Sequence, residues 1–129
     1  MSLILGRWPR AEAMRTEYET IIAAGFVVQI DCPDLAMGRH AQYAHCSIAE
    51  FRAAIARHVE ALNAAMAGID PDRLRMHVCW GNYESPHHRD VELIDIIDIV
   101  LTARPRGCPW KRPIPGTPTS GRFFHCPVQ

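Results

Sequence analysis

Two short apolar runs, Phe26–Ile30 and Leu74–Cys79, flank a single strongly amphipathic stretch, and this order constrains the fold more than any other feature. The stretch begins at Ser47, with Glu50 three residues later. Each of these side chains can satisfy a backbone amide of a helix's first turn, the pattern of a capping box. Ile48, Phe51, Ile55, Val59, Leu62 and Met66 then recur every three or four residues, which predicts one apolar helix face. Gly68 and Pro71 end it. A helix between two strands, with connections of this length, predicts a parallel α/β unit.

The flanks extend the pattern. Residues Ala11 to Ala24 read as a helix, with Met14, Tyr18, Ile21 and Ile22 near helical spacing and Gly25 as the stop. The first strand is bounded by Gly25 and by Asp31-Cys32-Pro33. Pro33 to Cys46 lacks a period and reads as a loop of functional size. After a polar loop, Asp90 is placed to cap a third helix from about Val91 to Ala103, apolar almost all round except for Asp95 and Asp98. A strand within that segment is the alternative. From Pro105 onward six of twenty-five residues are proline and no period survives, so residues 106–129 read as an irregular extension of the domain formed by residues 1–105.

Composition excludes several classes. The chain has 129 residues, 48% hydrophobic, with fourteen acidic and fourteen basic side chains. Zero net charge offers no broad field for nucleic acid or an anionic membrane. No apolar run reaches the ~18 residues of a membrane span. Arg and Pro within the first ten residues leave no apolar core for a signal peptide. Five irregularly spaced cysteines (Cys32, Cys46, Cys79, Cys108 and Cys126) suit reduced thiols in the cytoplasm better than a disulfide framework.

His77-Val78-Cys79 closes the second strand. Side chains two apart on a strand point the same way, so an imidazole and a thiol converge there as half of a tetrahedral zinc site. Zinc can hold a substrate thiol as a thiolate at neutral pH, the form that attacks an alkyl carbon. By spacing alone a His-x-Cys pair is a packed core pair more often than a metal site, and spacing does not decide for zinc. His87-His88 diverge as neighbours and read as a solvated loop. Asp95 and Asp98 read as a helix's polar edge, and Arg39-His40 as a possible contact for an anionic substrate.

Several separated segments match one family in the right order. Gln29-Ile-Asp-Cys-Pro-Asp-Leu-Ala36, Arg73-Leu-Arg-Met-His-Val-Cys-Trp-Gly-Asn-Tyr-Glu84, Pro86-His-His-Arg-Asp90 and the following Ile-Ile-Asp-Ile-Val carry the match. Over about residues 11–105 the chain resembles the catalytic barrel of cobalamin-independent methionine synthase and its short bacterial relatives, which include epoxyalkane:coenzyme M transferase. The resemblance implies a partial TIM (β/α)8 barrel of about two βα units, because a complete barrel takes roughly 250 residues. It implies zinc ligation by His77 and Cys79, with a Glu and a later Cys completing the family's set. It also implies that Asp31 helps bind the acceptor amino acid. The implied activity is methyl transfer to a small thiol such as homocysteine, with a folate methyl donor in the whole family. Cys32 stands where methionine synthases have Glu, which leaves room for another acceptor such as coenzyme M.

The tail lacks the family's Glu-bearing strand. Permitted codons for Gly107 to Lys111, read one frame over, spell Leu-Ser-Leu-Glu, and those that follow give Ala-Ala-His-Pro-Arg-His-Ala-His-Glu-Trp next. The expectation is therefore a frame-shifted tail and an incomplete zinc site. Two alternatives follow: a non-catalytic truncated fragment exposing a large apolar face, or a small partner-binding module.

Overall fold

A computed structural model describes residues 8–81 and 86–106, with side-chain surroundings from Ala11 onward. Helix α1 (Trp8–Ala23) leads to strand β1 (Val28–Cys32). Helix α2 (Ile48–Ala65) leads to strand β2 (Leu74–Val78), and a single turn of helix, α3 (Ile97–Val100), follows. The chain is thus mixed α/β. β1 and β2 pair in parallel, in the register Val28↔Leu74 through Cys32↔Val78.

α2 forms where its sequence predicts. Ser47 Oγ accepts from the Glu50 amide at 3.2 Å, and Glu50 Oε2 accepts from the Ser47 amide at 2.8 Å. Phe51, Ala54, Ile55 and Val59 face inward from it. Gly68 has φ +88°, a left-handed conformation that glycine adopts without a Cβ penalty, and it turns the chain out of the helix. The two backbone-plus-hydroxyl contacts to Ser47 hold the Glu50 carboxyl below its ordinary pKa. On β1 the sequence reading is two residues early. Phe26 instead donates its amide to the Ile21 carbonyl at 3.3 Å, closing the end of α1, so Phe26 and Val27 lie exposed before the strand begins.

One core cluster lies between the sheet, α2 and α3, built on Leu35, Phe51, Ile55, Met76, Val78, Ile96 and Val100. A second joins α1 to the start of the strands through Tyr18, Val28, Met66 and Leu74. Both use the same face of the sheet. The alternation puts Val28, Cys32, Leu74, Met76 and Val78 on that buried face, and Gln29, Asp31, Arg75 and His77 on the other. At these positions the other face is polar. Exposed large apolar side chains among the described residues (Met14, Phe26, Val27, Ile48, Ile94 and Leu101) are scattered over several elements.

The third helix is far shorter than residues 91–103, and Asp90 does not cap it. The Val91 carbonyl is used by the Trp80 indole N–H at 2.8 Å, and Glu92 is extended and precedes only a 3₁₀ turn, Leu93–Asp95, so the α-helix does not begin at Val91. The Asp90 carboxylate turns back to His87 at 2.8 Å. At the other end Asn63 of α2 donates to the Thr102 carbonyl and accepts from the Arg104 amide, pinning the chain out of helical geometry. Asp98 instead receives a two-pronged contact from Arg52 at 2.9 and 2.6 Å, and Arg52 also reaches the Asp95 carbonyl. That contact holds the Asp98 carboxyl below its usual value. The region read as an irregular tail from residue 107, with Cys108 and Cys126, lies outside the described residues.

Acid should loosen these links. Both carboxyls have folded-state pKa values below their unfolded ones. Their stabilisation is complete above the ordinary carboxylate range and is lost as pH falls through the lowered values. A Glu50→Gln variant should unfold at lower urea than the parent at neutral pH, and the gap should close in acid. A gap that stays constant with pH would show that the cap's charge contributes nothing.

Candidate metal centre

Parallel pairing brings the C-terminal ends of β1 and β2 side by side. The register sets Asp31 directly opposite His77, both on the uncovered face. Cys79 follows one residue after β2, where its carbonyl accepts from the Met37 amide at 3.1 Å and so anchors the strand's end to the β1–α2 loop. Gly81, at φ +94°, bends the chain so that its amide donates to Cys79 Sγ at 3.3 Å. The thiol is thereby held by a backbone amide.

The donor atoms of Asp31, His77 and Cys79 all lie within 4.8 Å of one another. His77 Nδ1 is 2.8 Å from Asp31 Oδ1. His77 is largely shielded, its side chain 22% exposed, whereas that of Asp31 is 61% exposed and reachable from solvent. Nitrogen, sulfur and carboxylate oxygen are donor types that zinc takes. The residues present therefore fit zinc in kind, as a partial set. This is the only potential metal cluster among the described residues.

Other candidates separate from this group. Cys32 is buried on the opposite face of β1 from Asp31 and lines a cavity of about 330 Å³ with Tyr18, Asp34 and His58. Burial, and secondly the neighbouring Cys32, push the Tyr18 hydroxyl pKa up. His87 is not solvated as read from sequence: its side chain is 8% exposed and paired with a 4% exposed Asp90. His88 meets His40 edge to face, with ring centroids 5.9 Å apart. Arg39 spends one donor on the Tyr43 carbonyl at 2.6 Å, and borders a polar cavity of about 640 Å³ with His88, Arg89 and Asp90. Cys46 is partly buried and unbridged.

Sequence reasoning missed the Asp34–His58 contact at 2.6 Å, which joins a turn to the middle of α2 and has no local spacing to reveal it. His87 and Asp90 are three apart, and that spacing could have been read as a pair. No helix among the described residues is long and apolar enough to cross a membrane. No family model, no curated protein and no solved structure matches this chain.

Proposed function

We propose that this chain is part of a (β/α)8 barrel of the cobalamin-independent methionine synthase kind, and that His77 and Cys79 provide two ligands of a zinc centre for thiol alkylation. The observation that carries the reading is the gathering of Asp31, His77 and Cys79 donors at the C-terminal ends of two parallel strands. That end of the strands holds the active site in parallel barrels.

When bound, zinc supplies an open position in which a small thiol is held as its nucleophilic thiolate. The chain's own residues do the rest. His77, from a strand whose other face is locked in the core through Met76 and Val78, and Cys79, just past that strand's end, would hold the metal. Asp31 projects its exposed carboxylate beside them, where it can accept a hydrogen bond from the ammonium group of an amino-acid thiol. Homocysteine is the acceptor this arrangement suits, with coenzyme M as the alternative that needs no ammonium partner. The methyl donor of the reading is a folate. Reduced Cys32, Cys46 and Cys79 fit work in the cytoplasm.

Zinc-edge X-ray absorption on the zinc-loaded full chain tests the reading. Adding homocysteine should raise the number of sulfur neighbours by one, and a methylating electrophile should then yield the thioether by mass spectrometry. Equal uptake of coenzyme M would move the reading to alkyl transfer onto that thiol. Failure of either thiol to reach the metal would leave a non-catalytic fragment or binding module.

A further inference from the structure

Asp31 has a role at this site that its exposure alone does not require. The backbone register places its Cα opposite that of His77 on the neighbouring strand, about 4.8 Å away in a regular sheet. Both side chains leave the same face, and Asp31 Oδ1 meets His77 Nδ1 at 2.8 Å. An ionised carboxylate can only accept hydrogen bonds, so Nδ1 must be the nitrogen that carries the proton. Nε2 then presents a lone pair. In neutral histidine the hydrogen bond made by one ring nitrogen sets what the other can do.

We propose that Asp31 is a positioning residue: its carboxylate accepts a hydrogen bond from Nδ1–H of His77 and so fixes the tautomer and ring orientation in which Nε2 is the metal donor. The inference rests on the zinc reading above. Both metal donors are then fixed by fold geometry before any metal arrives. Gly81 N–H fixes the sulfur, and Asp31 fixes the imidazole. Because Oδ2 takes no part in the contact with His77, the same carboxylate can also face an acceptor's ammonium group. Outer partners of this kind are worth about 10–100-fold in metal affinity.

The test uses the full chain and two variants, Asp31→Ala and Asp31→Asn. Asparagine keeps an oxygen acceptor for Nδ1–H, whereas alanine removes it. In the metal-free protein, long-range ¹H–¹⁵N spectra of labelled histidine, taken in mild alkali where free imidazole is neutral, report the tautomer directly. His77 should be Nδ1-protonated in the parent and in Asp31→Asn, and shift toward Nε2-protonation in Asp31→Ala. Cobalt(II) titration should then show affinity falling about 10–100-fold in Asp31→Ala and only a few-fold in Asp31→Asn. The thiolate-to-cobalt band should persist at saturation in both. An unchanged tautomer or affinity in Asp31→Ala overturns the proposal. So does an Asp31→Asn variant as weak as Asp31→Ala, which would make the carboxylate itself a ligand. Should the parent chain bind no cobalt, the zinc reading fails and the inference with it; cobalt binding indifferent to Asp31 defeats the inference alone.

Discussion

Cys79→Ser is expected to remove the thiolate-to-cobalt absorption of the full chain and to weaken metal binding by at least about 100-fold, beyond what loss of an outer partner produces. The size follows from hardness. A serine hydroxyl stays protonated at neutral pH, so it offers zinc or cobalt neither the charge nor the polarisable donor of a thiolate. The substitution should leave the fold intact. Cys79 lies beyond β2 and only partly buried, and the serine oxygen can still accept the Gly81 N–H. His77→Ala should weaken binding comparably while keeping the sulfur band at high metal. Unfolding midpoints of the metal-free variants separate the two possible causes. Metal affinity that survives Cys79→Ser with an unchanged midpoint would remove Cys79 from the site, and the thiol-alkylation reading with it.

Phe51→Ala is expected to cost about 3–5 kcal/mol, the largest stability loss of any single change considered. Its ring is fully buried on the first turn of α2 and packs against Tyr43 with centroids 5.6 Å apart and planes tilted by 56°. It also lies under the backbone of Gly38, where an added Cβ would meet a ring carbon of Phe51 at 3.7 Å. Part of the long loop between β1 and α2, at Gly38 and Tyr43, is therefore seated on this side chain. Domains of this size have roughly 5–15 kcal/mol of net stability, so the variant should be partly unfolded at ambient temperature. Urea denaturation measures the loss. Ile94→Ala is the matched control, since Ile94 is 74% exposed and its truncation should shift stability by no more than about 0.5 kcal/mol. Equal losses for the two would mean that the α2 core is not packed as described.

The two tests probe opposite faces of one sheet, and the division explains how the site relates to the fold. Met76 and Val78 are locked into the core that Phe51 anchors, while His77 between them points away from it. A destabilised core should therefore loosen the metal donors as well. His77 is thus backed by the helix layer behind the sheet and held on its own side by Asp31.

Much of this was legible in residue order because the signals are local. The capping box at Ser47 and Glu50, the three-to-four spacing from Ile48 to Met66 and the positive-φ glycine at Gly68 each act within a few residues of chain. The parallel β1–α2–β2 unit follows from them with little help from distant contacts. The side His77 takes on β2 was legible for the same reason, since alternation along a strand is a local property, whereas Cys79 lies past the strand's end and is placed by the turn at Gly81.

Elsewhere distant partners decided. Val91 to Ala103 has the apolar content of a helix, yet Trp80, Asn63 and Arg52 take its carbonyls, its amide and a carboxylate one by one, and only one turn of helix survives. Asp90 reads as a cap, but its neighbour His87 makes the better buried partner. Which face of the sheet stays open, and that this face is polar, depends on where α1 and α2 pack. No run of residues states the register that sets Asp31 against His77. The sequence by itself determined the start and end of α2 and the strand–helix–strand unit around it. Only the tertiary structure decided that Asp31 stands against His77, because the partner of His77 comes from the neighbouring strand, forty-six residues away along the chain.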